Sequence, residues 1–362
     1  MSIIISLIVF SLIVIVHEFG HFAVAKKVGI CVQEFSVGMG PLLFSRQKGE
    51  TQYSVRALPF GGFCRMQGEE GDDDDGSKDY DPSRSFNSKT ILRRFAVLFA
   101  GPGMNFVLAF VLLFIMLGVN GFFLPEVNIV YEGTPAEAAG LQHGDRILKL
   151  NGTRLHIYQD YSLVIANYAS DEPVDYLIER NGEKLNVTVQ PEYNEEEDRY
   201  MVGFTFNARS GLFGKQVEGY NRATVADTIN ADIWTMNYFV KSVVVGFVKL
   251  FTFQVKSNEI SGPIGMVSMI GDTYEAGLKY SLTDAIMNMA TLSALLSTNL
   301  GIINLFPIPA MDGGRIAFLL LEGIRRKPVD PEIEGRIHLA GFMLLMACMI
   351  LIAFNDIVNI IR

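Results

Sequence analysis

The chain has 362 residues, of which 49% are hydrophobic and 19% are charged, and its net charge is −9. Because about a quarter of the residues of a soluble domain are charged, this composition is unusually apolar. The acidic balance argues against nucleic acid as a partner, since binding phosphates requires basic side chains. Three widely spaced cysteines without a CxxC pair argue against a disulfide framework and against a cysteine zinc site.

The chain begins with an apolar segment, residues 3–16, which contains two serines and no charged residue. Its 14 residues are too few to cross a bilayer, which needs about 20. Continuing the helix to Ala25 gives 23 residues, so the predicted span contains His17, Glu18 and His21. Ionisable side chains at that depth are costly and are expected to be functional. A signal peptide is not expected, because the segment lacks a basic start and a small-residue cleavage site.

These residues form the motif His17-Glu18-Phe19-Gly20-His21. Residues four apart share a helix face, so both imidazoles can bind one zinc ion, which prefers two imidazoles, a carboxylate and an open position for water. Glu18 then acts as the general base that activates the water. The alternative is a helix end with incidental histidines, but unligated ionisable groups at this depth would cost about 2.5 kcal/mol or more each. The motif therefore predicts one Zn²⁺ ion.

Four spans are predicted in all, the last of them short. A further apolar segment, residues 238–255, is interrupted by two lysines and is predicted to be an amphipathic helix in the membrane interface. Basic residues mark the cytoplasmic side, so loops 26–96 and 315–336 are expected in the cytoplasm. Both termini and residues 120–284 are then extracytoplasmic. Besides the first, the predicted spans are residues 97–119, 285–306 and 339–354.

The loops carry two further predicted structures. Residues 32–66 show alternating patterning and paired glycines, which predict a small β-hairpin region. Residues 69–85 are acidic and rich in turn residues, and a solvated loop fits them better than a calcium site. Residues 133–152 resemble the start of a PDZ domain, which captures peptides by adding a strand to a sheet edge; a generic small β domain is the alternative. Residues 200–203 are a candidate carboxylate-binding loop of that domain.

A third zinc ligand is needed, and Asp312 is the best candidate. It follows the third span, where two prolines break the helix and two glycines let the backbone turn. The histidines at 143 and 156 lie in the outer segment, and His338 begins the last span. Asp312 shares the cytoplasmic side with the HExxH motif only if one span intervenes between the first and the third. The alternative is that Asp312 merely caps a helix.

The motifs together resemble the site-2 protease family, M50, in its bacterial regulator-of-sigma form with a single PDZ domain. The resemblance rests on HEFGH in the first span, on the string at 304–314 in a later one, and on the intervening PDZ-like segment. Two departures are Met311, where the family usually has leucine, and one PDZ domain where many relatives have two. Further matching strings are FSVGMGP (35–41), YSVRALPFGGFCRMQGE (53–69), AGPGMNF (100–106) and SGPIGM (261–266).

The resemblance implies regulated intramembrane proteolysis of a single-span protein, such as an anti-sigma factor, already shortened outside the membrane. The PDZ domain would exclude intact outer domains or bind a peptide of the substrate's outer segment. The β region, with Gly61 and Gly62, would pair with the unwound substrate as an added strand. Asn105 and Asn304 would hold substrate or the oxyanion; the alternatives are helix–helix hydrogen bonding for Asn105 and backbone capping for Asn304.

The predicted fold is a mainly α-helical polytopic membrane protein of the bacterial inner membrane. It has four transmembrane helices, a cytoplasmic-side β-hairpin region, one inserted extracytoplasmic PDZ (α+β) domain, and an active site toward the cytoplasm. Two other functions remain open, a membrane-anchored zincin that cuts soluble peptides or signal-peptide remnants, and a non-catalytic PDZ scaffold. The predicted segments are 1–27 (first span), 28–92 (β region and acidic loop), 93–120 (second span), 121–210 (PDZ), 211–283 (connector), 284–314 (third span), 315–336 (loop) and 337–362 (fourth span and tail).

Overall fold

The computed structural model describes residues 2–69, 81–166, 172–194, 199–252 and 262–361. Most of the predicted acidic loop therefore lies outside the described residues. The helices are α1 (Ser2–Lys27), α2 (Ile91–Asn120), α3 (Pro135–Ala138), α4 (Tyr158–Ala166), α5 (Val225–Phe251), α6 (Pro263–Leu278), α7 (Leu282–Leu305), α8 (Asp312–Arg325) and α9 (Pro331–Ile361). The strands are β1 (Val32–Lys48), β2 (Thr51–Met66), β3 (Phe122–Val130), β4 (Arg146–Leu150), β5 (Thr153–Arg154), β6 (Val174–Arg180), β7 (Glu183–Val189), β8 (Glu192–Asn194), β9 (Arg199–Met201) and β10 (Phe204–Arg209).

Four helices in the described part of the chain are long and apolar enough to cross a membrane. They are α1, α2, α7 and α9, and they coincide with the four predicted spans. The helix α5 is 27 residues long but is not among them. Its two aspartates and two lysines explain this, since charged side chains are unfavourable in hydrocarbon. The prediction of four spans is therefore confirmed by length and composition.

The chain divides into two compact units, Met1–Leu112 with Ser242–Arg362, and Leu113–Lys241. The second unit contains a sheet with the strand order β10-β3-β4-β6-β7, with β5 paired to β4. Its core is made of alternate inward-facing strand residues, among them Ile147, Val174, Tyr176 and Ile178, all fully buried. Residues 133–152, which resemble the start of a PDZ domain, contribute β4 to this sheet.

The first unit contains the β region formed by β1 and β2. Phe35 of β1 lies opposite both Cys64 and Tyr53 of β2. Residues 32–37 are therefore flanked on both sides, by 62–66 and by 52–55. We call residues 62–66 the edge segment. Among the described residues, this segment pairs with 32–37 on one side, and no strand pairs with its other side. The predicted β-hairpin region is confirmed. Among the described residues it has two unpaired strand edges, the outer side of the edge segment and the outer side of 42–48.

Apolar clusters fix the helices of the first unit around α1. Val9 and Ile13 of α1 pack with Ile270 of α6 and Leu292 of α7. Within candidate spans such contacts stabilise by close packing, because lipid is as apolar as the side chains. A second cluster joins the end of α1, the β region, α2 and α8; it includes Ala25, Val32, Met66, Val97 and Leu319. These contacts bring the start of α8 close to the HExxH residues.

Two helices, α6 and α8, are additions to the sequence predictions. Gly262 of the SGPIG string is the N-cap of α6, and its N–H donates to Asp356 of α9 at 3.0 Å. The predicted loop 315–336 contains most of α8, a helix with one apolar face that ends where Arg326 adopts a left-handed conformation. The third candidate span, α7, ends at Leu305, just before the two prolines that stop the helix.

Candidate metal centre and active site

Three side chains of the first unit converge on one point. The Nε2 atoms of His17 and His21 are 3.2 Å apart, and Asp312 Oδ2 lies 3.2 Å and 3.4 Å from them. A tetrahedral zinc site with bonds of about 2.0–2.2 Å separates its ligand atoms by about 3.3–3.6 Å. The two imidazoles are buried, and Asp312 Oδ2 has no hydrogen-bond partner. The triangle therefore has the composition and the size of a zinc site.

The position of Asp312 depends on the short connection between α7 and α8, residues 306–311. A methyl group at Gly313 would overlap the carbonyl of Phe306, and one at Gly314 would lie 2.5 Å from the carbonyl of Ile308. The two glycines therefore let α8 fold back against this connection. The N-cap of α8 is Met311 and not Asp312, and Met311 makes no side-chain cap. The alternative that Asp312 merely caps the helix is therefore wrong, because Met311 occupies the cap position.

The helix α9 supports this connection from the other side. His338 Nδ1 accepts a hydrogen bond from the N–H of Ala310 at 2.8 Å, and Ala310 has a positive φ of 76°. Positive φ is unfavourable for alanine, so the hydrogen bond helps to hold the strained turn before Asp312. Gly341 lies close to Pro309, where a methyl group would be 2.9 Å from its carbonyl oxygen. The sequence did not reveal this positioning role of His338.

The helix α2 approaches α1 so closely that glycine is required on both helices. A methyl group at Gly20 would overlap the carbonyl of Ala100. A methyl group at Gly101 would lie 2.6 Å and 2.8 Å from two ring carbons of His21. The close approach lets His21 Nδ1 lie 2.8 Å from the carbonyl oxygen of Val97 on α2. The GPG string of α2 therefore forms the wall against which His21 is held.

We expect Gly101→Ala to abolish zinc binding and activity, because its methyl group must displace the His21 ring. The matched control is Gly103→Ala on the same helix, where the added methyl would lie 3.6 Å from the Phe99 ring, an ordinary contact. Alanine in a helix interior is otherwise favourable over glycine by about 0.5–1 kcal/mol. Zinc content and peptidase activity of both purified variants test this; retained zinc in Gly101→Ala would contradict it.

A cavity of about 680 Å³ opens beside the three ligands. Glu18 faces it, as does the edge segment of β2 through Phe63, Cys64 and Arg65. Burial, and then the charge of Glu18, raises the pKa of the Cys64 thiol. Cys64 is not among the three converging ligand groups of the described residues. The remaining lining comes from the turn before α8 and from α8, α9, β1 and the end of the β region: Gln33, Met66, Glu69, Ala310, Met311, Arg315 and His338.

The other candidate residues lie at different distances from this centre. Asn105 is fully buried, and its Nδ2 is 3.2 Å from His17 Nδ1. Gly62 is in β2 near Glu18, whose Cγ would be 3.8 Å from a methyl group added there. Gly61 has a positive φ of 77° and lies against the side chain of Met39. Asn304 is in the last turn of α7 and does not line the cavity.

The comparisons with known proteins agree with this geometry. Residues 5–348 match the model of Peptidase family M50. The chain belongs to peptidase family M50, the site-2 proteases. One relative is the zinc metalloprotease RasP of Geobacillus kaustophilus, which is 32% identical and is matched over 98% of this chain and 97% of that protein. Another is the zinc metalloprotease RasP of Shouchella clausii, which is 33% identical and is matched over 96% of this chain and 97% of that protein. A third is the regulator of sigma-W protease RasP of Bacillus subtilis, 29% identical over 97% of each.

This M50 peptidase is a zinc metalloendopeptidase, and its cofactor is zinc. Among solved structures it is similar to the PDZ domain of an SdrC-like protein from Listeria innocua, with 19% identity and a TM-score of 0.21, over 24% of this chain and 93% of that one. The three converging donor groups fit zinc, because two neutral imidazoles and one carboxylate leave a fourth position free for water.

Proposed function

We propose that this peptidase cleaves single-span membrane proteins within or next to their membrane segment, and that its substrates include anti-sigma factors. The observation that carries the proposal is the placement of the converging ligands. Two of them, and Glu18, belong to a helix that is itself a candidate span. A catalytic group inside a span has its substrate in the membrane. The name of the Bacillus subtilis relative, a regulator of sigma-W, supports the substrate class.

The proposed roles follow from the chemistry of the side chains. His17, His21 and Asp312 hold the zinc ion, which when bound acts as a Lewis acid toward water and the scissile carbonyl. Glu18 takes the proton from the attacking water and passes it to the leaving amine. It faces the cavity and lies beside the ligands, so it can reach both positions.

We propose that the edge segment binds the substrate backbone. A transmembrane helix hides its carbonyl groups in hydrogen bonds, so the substrate must unwind before it is cleaved. An unwound strand then needs new partners for its N–H and C=O groups. The free edge at 62–66 offers these beside Glu18, and strand addition to a sheet edge is a common mode of peptide recognition.

The second unit acts as a size filter for the outer part of the substrate in this proposal. Its resemblance to PDZ domains rests on residues 133–152 and on the sheet that contains them. The strand β10 lies at the edge of that sheet, where a peptide would add. Tyr161 of α4 packs on Phe204 and Phe206 of β10, with ring centroids 5.8 Å and 4.8 Å apart. These aromatic rings pack against the apolar core of that unit.

The positive-inside rule supports the proposed orientation. Basic residues lie in the last turn of α1, in the first turn of α2, and at the junction of α8 and α9. With four spans these positions share the cytoplasmic side, which also contains the metal centre. Both termini and the PDZ-like unit then lie outside the cytoplasm.

The proposal is tested with the purified protein in lipid vesicles and three substrates that share one cleavage sequence. We expect cleavage of a single-span polypeptide with a short outer segment. We expect little cleavage when a folded domain is fused to that segment, and little cleavage of a soluble peptide. Equal cleavage of the soluble peptide would favour a membrane-anchored zincin that cuts soluble chains, whereas cleavage of the fused substrate would refute the size filter alone. A zinc chelator is the control.

A further inference from the structure

We infer that the Asn105 amide is a hydrogen-bond acceptor that orients the zinc ligand His17, and that it touches neither the substrate nor the oxyanion. The inference rests on the proposed ligand set, in which His17 binds the metal. It assigns Asn105 as a positioning residue.

The first step is the protonation of the His17 ring. Its Nε2 is the atom that faces His21 Nε2 and Asp312 Oδ2, at 3.2 Å from each. A nitrogen that binds a metal must offer its lone pair and cannot carry a proton. A neutral imidazole has one proton, so in the metal-bound form this proton lies on Nδ1. The Nδ1–H group then needs an acceptor.

The second step is the identity of that acceptor. The group facing His17 Nδ1 is the side-chain amide of Asn105, at 3.2 Å. With its NH₂ toward the ring, two donors would face each other, and the buried Oδ1 has no hydrogen-bond partner. A half-turn of the amide about the Cβ–Cγ bond exchanges its oxygen and nitrogen without moving any other group. The oxygen then accepts from Nδ1–H, as metal-bound histidines generally require.

The third step is the parallel with His21. Its Nδ1 lies 2.8 Å from the carbonyl oxygen of Val97, a group that can only accept a hydrogen bond. Val97 and Asn105 are about two turns apart on α2, and His17 and His21 are about one turn apart on α1. Each imidazole therefore meets an oxygen from α2, one from the backbone and one from a side chain. This pattern makes α2 the support of both ligands.

The fourth step is the confinement of Asn105. Its side chain is fully buried and does not line the cavity, so a substrate cannot reach it. Its backbone carbonyl accepts a hydrogen bond from Ser297 Oγ of α7 at 2.9 Å. Gly301 of α7 also lies against it, where a methyl group would be 3.4 Å from Asn105 Cβ. A residue held in this way can fix the direction of a ring, but it cannot contact a reacting carbonyl.

The test compares Asn105→Asp with Asn105→Leu by zinc affinity, measured by competition with a graded chelator. Aspartate has similar shape and can only accept, so it should keep zinc affinity within a few-fold of the unmodified protein. Leucine removes the acceptor and should weaken zinc binding by about 10–100-fold, the usual effect of losing the partner of a metal-bound histidine. Asn299→Leu, which removes a buried amide of α7 that has no hydrogen bond to either imidazole, should leave zinc affinity unchanged.

Zinc loss in Asn105→Asp equal to that in Asn105→Leu would overturn the inference, and so would full zinc affinity in Asn105→Leu. If Asn105→Leu does not fold, Asn105→Asp still decides, because the inference requires this variant to keep zinc affinity within a few-fold of the unmodified protein. Full zinc affinity in His17→Ala would instead refute the ligand set itself, so the two failures are distinguishable.

Discussion

Glu18→Gln is expected to stop peptide hydrolysis while zinc remains bound. Glutamine keeps the size and the hydrogen bonding of the side chain but cannot take a proton. General acid–base catalysis contributes about 10²–10⁴-fold to the rate, and the same carboxylate serves both proton transfers here. Glu18 is not among the three converging ligand groups, so zinc affinity should not fall. The measurement is cleavage of a membrane-embedded substrate together with zinc content.

The control is Glu332→Gln at the start of α9, whose exposed carboxylate pairs with Arg336 four residues on. That variant should cleave at the normal rate. Substantial turnover by Glu18→Gln would remove Glu18 from the mechanism. Loss of zinc in Glu18→Gln would show that Glu18 acts as a ligand and not as the base.

The convergence of the three candidate ligands could be predicted from the sequence because its signals are local. His17 and His21 are four residues apart, and helical periodicity alone places them on one face. Asp312 is distant in the chain, but the count of spans puts it on the same side of the membrane. The structure brings these three residues within bonding distance of one point. The start of the PDZ-like segment could also be predicted, because its signal is the string at 133–152.

The supports of the site could not be predicted, because they depend on distances between helices. Gly20 and Gly101 read as ordinary helix glycines until the approach of α1 and α2 is known. Asn105 was equally compatible with substrate binding and with helix contacts; only its burial and its neighbour separate these roles. His338 reads as the first turn of a span, and its contact with Ala310 requires the folded turn before Asp312.

The two histidines and Asp312 are thus held by different means. Both imidazoles are braced by α2, a single rigid helix packed closely against α1. Asp312 is held by a turn of the backbone, supported by His338 and by two glycines of α8. A movement of α8 or α9 would therefore shift Asp312 and leave the histidine pair in place. In the proposed site, the carboxylate is the ligand on which assembly of the metal site depends.

Asp312→Ala is accordingly expected to weaken zinc binding by more than about 100-fold, since losing even an indirect partner of a ligand costs about 10–100-fold. Activity should fall with zinc content, and added zinc should restore part of it, because the histidine pair and Glu18 remain. The measurement is zinc affinity by chelator competition, with activity followed at increasing zinc. Asp272→Ala, at an exposed position of α6, is the control and should behave as the unmodified protein. Unchanged zinc affinity in Asp312→Ala would mean that the third ligand is another group, and the proposed pairing of α1 with α8 at the metal would be wrong.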